Sequence, residues 1–553
     1  MKSPFFLVRP LLVTGLLANL AACGGGGLPV PSLGSSEDGI SLAAGEVSCN
    51  ADPAQQCQSS LRAQPIARLY EGGFKWSEAA AGATPAVFDV NRIKQSDGSW
   101  LLHIDFKNAL PAGVYRGSIT LSFPILSPFG DTINSRSFNY TLTVAGANAN
   151  LTPLARITTD WEGFNGNATH TGYVPLTLDT ASFTRRFSRA SPDNTRFEKI
   201  AVADGKVLLT SIDGNGAPNA PTNPAILSYR EQDNTLLWRV AGTPSGRYFN
   251  LAAGGTQVLA SDGQSGGRVL SSFDSSTGSL RFSHTDSFRR LSSSNNEMPA
   301  TVAGASLCAI NGTEGELQCF DSASGNVVWS APQRELRDPL YVNVAPAITD
   351  TLVMSNLNGK FRSYDRSSGA LKMSIPVPGV TSGTLLTIHE LNQAVVAVDA
   401  NSALLLDQRN IDGTLRNNIL SMADLAAQKI RWQASGQFTA HPVAARGVVY
   451  VANQQTQSIE ARDAATGALQ WSWALPAADD DAFGDNLIVT NNLLFVSAKH
   501  NTWALDLATH QEVWRYHFGG KLALSAQGVL YILGPDMATQ PVLRDWLVAI
   551  NLK

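Results

Sequence analysis

From about residue 65 onward, short runs of alternating apolar and polar residues, rich in Val, Ile, Thr and aromatics, are separated by Gly, Asn and Asp. A period of two turns one face of each run toward a core and the other toward water, which is the pattern of half-buried strands. Little of the chain shows a sustained helical period, so the pattern predicts an all-β protein. One four-strand unit can be read directly. In "NVAPAITDTLVMSNLNGKFRSYDRSSGALKMSI" the strands are "APAIT", "TLVMSN", "KFRSYD" and "ALKMSI".

The last hairpin of that unit recurs. "IEARDAATGALQW", ending at Trp471, aligns with segments ending at Phe187, Trp238, Phe282, Trp329, Met373, Trp432 and Trp514, eight copies in all. Eight residues before the large terminal residue stands an aspartate in seven of them: Asp179, Asp274, Asp321, Asp365, Asp424, Asp463 and Asp506. Such a carboxylate can accept bonds from N–H groups two or three residues on and so fix a turn. Gly278, Gly325, Gly369 and Gly467 fall where a bulged hairpin turn needs positive φ. The large residue then lies on the outgoing strand, placed to stack on a neighbouring sheet. Successive anchors lie 51, 44, 47, 44, 59, 39 and 43 residues apart, near the length of one four-stranded propeller blade.

The two ends are complementary. The chain stops at "WLVAINLK", a third strand with no fourth after it. The first copy, "LTLDTASFTRRF", supplies a turn and a fourth strand with no blade before it. The C-terminal strand is therefore expected to pair beside Phe187, closing an eight-bladed ring and removing an open sheet edge.

"ARDAATGALQW" fits the pattern A-x-D-x-x-T-G-x-x-x-W and resembles the tryptophan-docking signature of quinoprotein-type eight-bladed propellers, a resemblance that covers residues 152–553. Two groups share that signature: periplasmic dehydrogenases that bind pyrroloquinoline quinone (PQQ), and non-catalytic lipoproteins like BamB of the outer-membrane β-barrel assembly machinery. Membership of the enzyme branch implies PQQ held with Ca²⁺ in the central channel, where the cation polarises a carbonyl. It also implies a carboxylate base and two adjacent cysteines over the cofactor. Adjacent cysteines are absent from this sequence, and only the unit before Trp432 is long, by the insertion "LLLDQRNIDGTLRNN". The resemblance is therefore read as implying a scaffold for envelope proteins without catalytic residues, metal, PQQ or Ca²⁺. A PQQ-dependent dehydrogenase and a glycan or cell-wall binding module are the alternatives.

Residues 37–146 read as a separate β-sandwich. "SWLLHIDFKNAL", "GVYRGSITLSFPIL" and "SRSFNYTLTV" alternate as strands, and "LPAGVYRGSITLSF" resembles closing strands of bacterial immunoglobulin-like domains. "AGANANLTPLA" reads as a linker into the propeller.

Composition narrows the setting. The 553 residues carry a net charge of −4, which offers no basic field for nucleic acid. Residues 1–22 have Lys2 and Arg9, then the apolar run "LLVTGLLANLAA", the form of a secretory signal and too short for a spanning helix. Leu20-Ala21-Ala22-Cys23 resembles the bacterial lipobox, which implies a lipid-modified (palmitate-bearing) Cys23 anchored in a membrane. Gly24 stands where an aspartate would retain a lipoprotein at the inner membrane, so the outer membrane, facing the periplasm, is expected. Residues 23–36, with "GGGGLPVPSLGSS", read as a flexible tether. Cys49 and Cys57, and Cys308 and Cys319, lie in close pairs, and an even count in an exported chain reads as two disulfides. No C-x-x-C or H-x-H spacing favours a metal.

Other candidates are local. Asp213 and Asn215 open "DGNGAPNAPTNP" like a calcium loop but lack its distal glutamate. Asp479, Asp480 and Asp481 form an acidic run between blades, read as solvated. His170 in "NATHTGYVP" reads as capping the segment that leads into the propeller. Arg289 and Arg290 in "DSFRRLSSSNNEMP" mark a loop suited to a partner.

Overall fold

The alternating runs form strands nearly throughout, and the only helical turn among the described residues is the 3-10 turn Thr180–Ser182. The structure is a computed structural model describing residues 40–51, 57–65, 74–107, 110, 112–125, 132–192, 195–213, 224–242, 248–262, 269–285, 300–311, 316–332, 345–357, 359–378, 393–407, 410–411, 414–415, 418–476, 483–484, 486–535 and 545–553. Two compact units divide the chain, and the second holds Val144–Lys553.

The first unit has two four-stranded antiparallel sheets. One orders Ile40–Leu42, Gln58–Pro65, Trp100–Phe106 and Val87–Lys94; the other orders Glu46–Ala51, Thr132–Val144, Gly113–Ile125 and Lys75–Ala80. Strict alternation in "WLLHIDF" buries Trp100, Leu102, Ile104 and Phe106 on one face. Phe106 meets Tyr140 of the other sheet at a centroid distance of 5.6 Å. Tyr140 donates its hydroxyl to Glu78, whose carboxylate also accepts the Ala86 and Val87 N–H groups. The Cys49–Cys57 disulfide joins a strand of one sheet to the residue leading into the other.

The second unit contains eight four-stranded sheets among its described residues. The first blade runs Thr195–Ala203, Lys206–Asp213, Ala225–Arg230 and Leu236–Ala241. Blades two to seven span 248–285, 300–332, 347–376, 393–436, 443–474 and 488–516. In the fifth, the long insertion carries a small hairpin, Asn410–Ile411 with Thr414–Leu415. The eighth combines Lys521–Leu524, Val529–Pro535 and Asp545–Asn551 with Thr184–Ala190. In that closing pair Leu547 stands opposite Arg189, Val548 opposite Ser188 and Ala549 opposite Phe187. The first strands of successive blades touch one another around a complete circle, the eighth returning to the first. They form the inner wall of a ring.

Each blade-to-blade interface is an apolar layer. Cys308, Ile310, Leu317 and Trp329 of the third blade pack on Ile348, Val353 and Tyr364 of the fourth. The Cys308–Cys319 disulfide joins directly opposed residues of two strands within that layer.

Candidate functional site

The repeat residues tie each blade to the next. The turn aspartates Asp274, Asp321, Asp365, Asp424, Asp463 and Asp506 accept N–H groups two or three residues on, at 2.7 to 3.1 Å. Asp179 does the same with Ala181, at the start of the 3-10 turn. Donors of this kind favour the charged form. Arg281 and the turn N–H groups pull Asp274 down to about 2.

The large terminal residues dock one blade further on. Trp238, Trp329 and Trp432 donate their indole N–H to the carbonyls of Ser275, Arg366 and Ala464, each at 2.9 Å. Their rings lie against the turn glycines of the receiving blade. A Cβ on Gly278, Gly369 or Gly467 would come within 2.9, 2.5 or 2.6 Å of the respective indole, and Gly325 faces Phe282 in the same way at 2.5 Å. These glycines, with φ from +70° to +74°, thus meet a second requirement that the turn alone does not impose: a bare surface for a ring.

Three junctions use other chemistry. His510, at φ +59° in place of the glycine, stacks on Trp471 with centroids 4.5 Å apart. Trp514 meets Phe183 edge-on at 5.3 Å. Met373 packs against the apolar layer that holds Leu425 of the fifth blade.

The axis holds the feature that sequence reasoning missed. Residues 160–176 cross the ring's centre and bond to the inner strands or turns of all eight blades. The carbonyls of Trp161, Glu162, Ala168, Thr169, Thr171 and Gly172 accept the N–H groups of Val202, Ala253, Ile348, Ala397, Ala444 and Val489, at 2.6 to 2.9 Å. Those acceptors serve blades one, two, four, five, six and seven. The Asp160 carboxylate accepts the Ala526 N–H of the eighth. His170 reaches the third and fifth together, with Nδ1 3.1 Å from Val395 O and Nε2 3.0 Å from Thr301 Oγ1. A carbonyl can only accept, so Nδ1 carries the proton and Nε2 accepts from the threonine hydroxyl. Burial pushes His170 down to about 3, so it stays neutral. His170 therefore does more than cap a leading segment: it pins one.

The plug fits because of its backbone. Asn165, Gly166, His170 and Gly172 all have positive φ. A Cβ on Gly172 would lie 2.2 Å from Val443, and one on Gly166 would lie 2.6 Å from the Trp161 ring. Asn165 donates to the His170 and Pro442 carbonyls, and Phe164 packs between His170 and His441 at 4.9 and 4.4 Å. The space left beside Glu162, His170 and Thr301 is about 10 Å³, room for one water at most. Burial and the neighbouring Asp160 push Glu162 up to about 7. The visible signal was "DWEGFNGNATHTGY", with three glycines, two asparagines and no alternation just ahead of the first blade.

The junction of the eighth and first blades is arginine-built. The Phe187 ring, unlike an indole, has no donor. Instead Arg186, fully buried, donates to Thr152 O at 2.8 Å, to Asn551 Oδ1 at 3.1 Å and to Gln232 O of the first blade. Arg189 donates to the Asn234 side chain and carbonyl and lies over Tyr229. Arg185 holds the carbonyls of Gly146 and Ala147, each at 2.9 Å. Ser188 N–H bonds to Ala147 O, and Ala149 N–H bonds to Arg186 O. The stretch read as a linker is thus stitched along the outer edge of the eighth blade and belongs to the propeller.

At this level of the axis the carbonyls of 160–176 are spent on the inner strands and both nitrogens of its histidine are engaged. The described residues contain no cluster of three His, Cys, Asp or Glu that could hold a metal. Cys23 with its tether, Asn215, Arg289, Arg290, and Asp479 to Asp481 lie outside the described residues, while Asp213 ends a strand.

The family model described as outer membrane protein assembly factor BamB matches residues 223–473 and 377–516, together more than half of the chain. The chain belongs to that family. BamB from Moraxella catarrhalis is 13% identical, with 67% of this chain and 99% of that one covered at a TM-score of 0.48. A europium-containing methanol dehydrogenase is 10% identical, covering 71% of this chain and 98% of that one at a TM-score of 0.49. Tetrathionate hydrolase of Acidithiobacillus ferrooxidans (strain ATCC 23270) is 20% identical over 242 residues, 43% of this chain. The match spans 39% of the hydrolase's length.

Proposed function

We propose that this protein is a non-catalytic scaffold of the cell envelope, held by lipid on Cys23 at the periplasmic face of the outer membrane, where it docks envelope proteins in the manner of an assembly factor. The axial plug carries the reading. In the dehydrogenase branch the central channel serves the cofactor, whereas here residues 160–176 span it and bond, through backbone or side chain, to every blade. Family membership supports the assembly role. The blades then serve as a rigid wheel for presenting loops, and the sandwich is a second surface or spacer.

The test is crosslinking of the full-length protein in intact cells, followed by mass-spectrometric identification. Outer-membrane assembly proteins should be captured, in amounts above those taken by an unrelated lipoprotein at matched expression. Capture of background proteins alone would contradict the assembly role.

A further inference from the structure

The seam between the eighth and first blades carries a buried acid that no junction role accounts for. Glu231 stands in the turn of the first blade, immediately after the position that is aspartate in the other repeats, and it is fully buried. Its N–H bonds to Gly205 O. Its Oε1 accepts the hydroxyl of Tyr531, a fully buried residue of the eighth blade, at 3.1 Å. Its Oε2 has no hydrogen-bond partner, and neither does Nε of the neighbouring Arg186. Arg186 spends its other donors on Thr152, Asn551 and Gln232. Glu231 is therefore close to a guanidinium without being paired to it.

The groups that face Glu231 are few. Tyr531 of the eighth blade is the hydroxyl partner with Ser525 beside it, Arg186 of the closing strand is the cation, and Asp160 of the plug adds a like charge. On its own turn, Arg230 and Asp233 pair with each other at 2.9 Å in solvent. An ionised carboxylate here loses its water and keeps one hydroxyl partner at 3.1 Å, which is the costly arrangement for a buried charge. A neutral carboxyl loses far less.

We propose that closure of the ring is proton-linked: the seam is tight while Glu231 carries a proton, and it loosens when that proton leaves. The loosened element is the closing strand, Thr184–Ala190, because Arg186 and Phe187 lie on it and Tyr531 lies on the strand next to its partner. Burial holds Glu231 up to about 7, so the transition falls within the range an envelope compartment experiences. The other seven junctions carry no equivalent acid in the position after the turn residue; Ser275, Ser322, Arg366, Leu425, Ala464 and Leu507 stand there in blades two to seven, and Thr180 in the eighth.

Hydrogen exchange on the full chain, corrected for the intrinsic effect of pH, reads this directly. Peptides covering 184–190 and 545–551 should lose protection by up to about tenfold per pH unit between about pH 5 and pH 7 and level off above it, while the matching strands of the fourth blade change little. Glu231→Gln should hold the protected level at both pH 6 and pH 8.5. Should that variant fail to fold, Tyr531→Phe removes a donor to the carboxylate and should move the transition to higher pH. Equal protection of the wild-type seam at both pH values would overturn the proposal, as would an unchanged pH dependence in Glu231→Gln.

Discussion

Gly369 of the fourth blade lies beneath the indole of Trp329 from the third, so close that a single added carbon would sit 2.5 Å from the ring. The same glycine has φ +70°. Two constraints from different blades thus fall on one residue, and they can be separated by mutation. Gly255 also has positive φ, +58°, but a Cβ there meets nothing within 4 Å. Gly255→Ala should cost about 1–2 kcal/mol from the left-handed backbone alone. Gly369→Ala adds overpacking of about 1–3 kcal/mol. Denaturant midpoints at unchanged slope should rank them in that order, and equal costs would contradict docking on the glycine.

Stability should peak in mild acid. The six turn aspartates have lowered pKa values, so their contribution is present above about pH 4 and lost as pH falls toward the value of about 2 reached by Asp274. Buried carboxyls act in the opposite sense. Burial raises Glu162 and Glu231 to about 7 and Asp545 to about 6, so their contribution is full below about pH 4 and lost as pH rises through those values. Thermal unfolding followed across pH should therefore show a maximum at about pH 4–5. A flat profile to pH 8 would contradict it.

His170→Ala should be among the most damaging single changes in the propeller. It orphans Val395 O and Thr301 Oγ1 in a buried site and leaves a hole at the axis. Each orphaned group costs about 1–3 kcal/mol, with the cavity in addition. His170→Asn, which keeps one donor, should recover part of the loss in a denaturant titration.

The architecture was legible in the sequence where side chains do the work at regular spacing. The aspartate, the turn glycine and the large residue of each repeat recur, and the half-blade at Phe187 with its complement at Leu547–Leu552 marked the closure that Ala549 opposite Phe187 now displays. The plug was not legible, because it works through backbone carbonyls of a Gly- and Asn-rich stretch without a period. The arginine seam was hidden for a different reason. Arg185, Arg186 and Arg189 look like ordinary polar positions of a strand, and only the fold shows that their partners lie in the preceding stretch and in another blade. The second task of the turn glycines was invisible because the ring they support comes from about 40 residues earlier in the chain.

Membrane attachment through Cys23 is a separate expectation. Cys23→Ser should move the protein from the membrane to the soluble fraction of lysed cells and abolish labelling by a palmitate analogue. Persistence of label in the variant would contradict that anchor.

The scaffold reading is tested most directly by adding PQQ and Ca²⁺ to the purified full-length protein and following quinone absorbance together with alcohol-dependent dye reduction. With the axis spanned by residues 160–176, neither a stoichiometric absorbance change nor turnover should appear at any ratio of quinone to protein. Saturable quinone uptake at one per chain, accompanied by dye reduction, would contradict it.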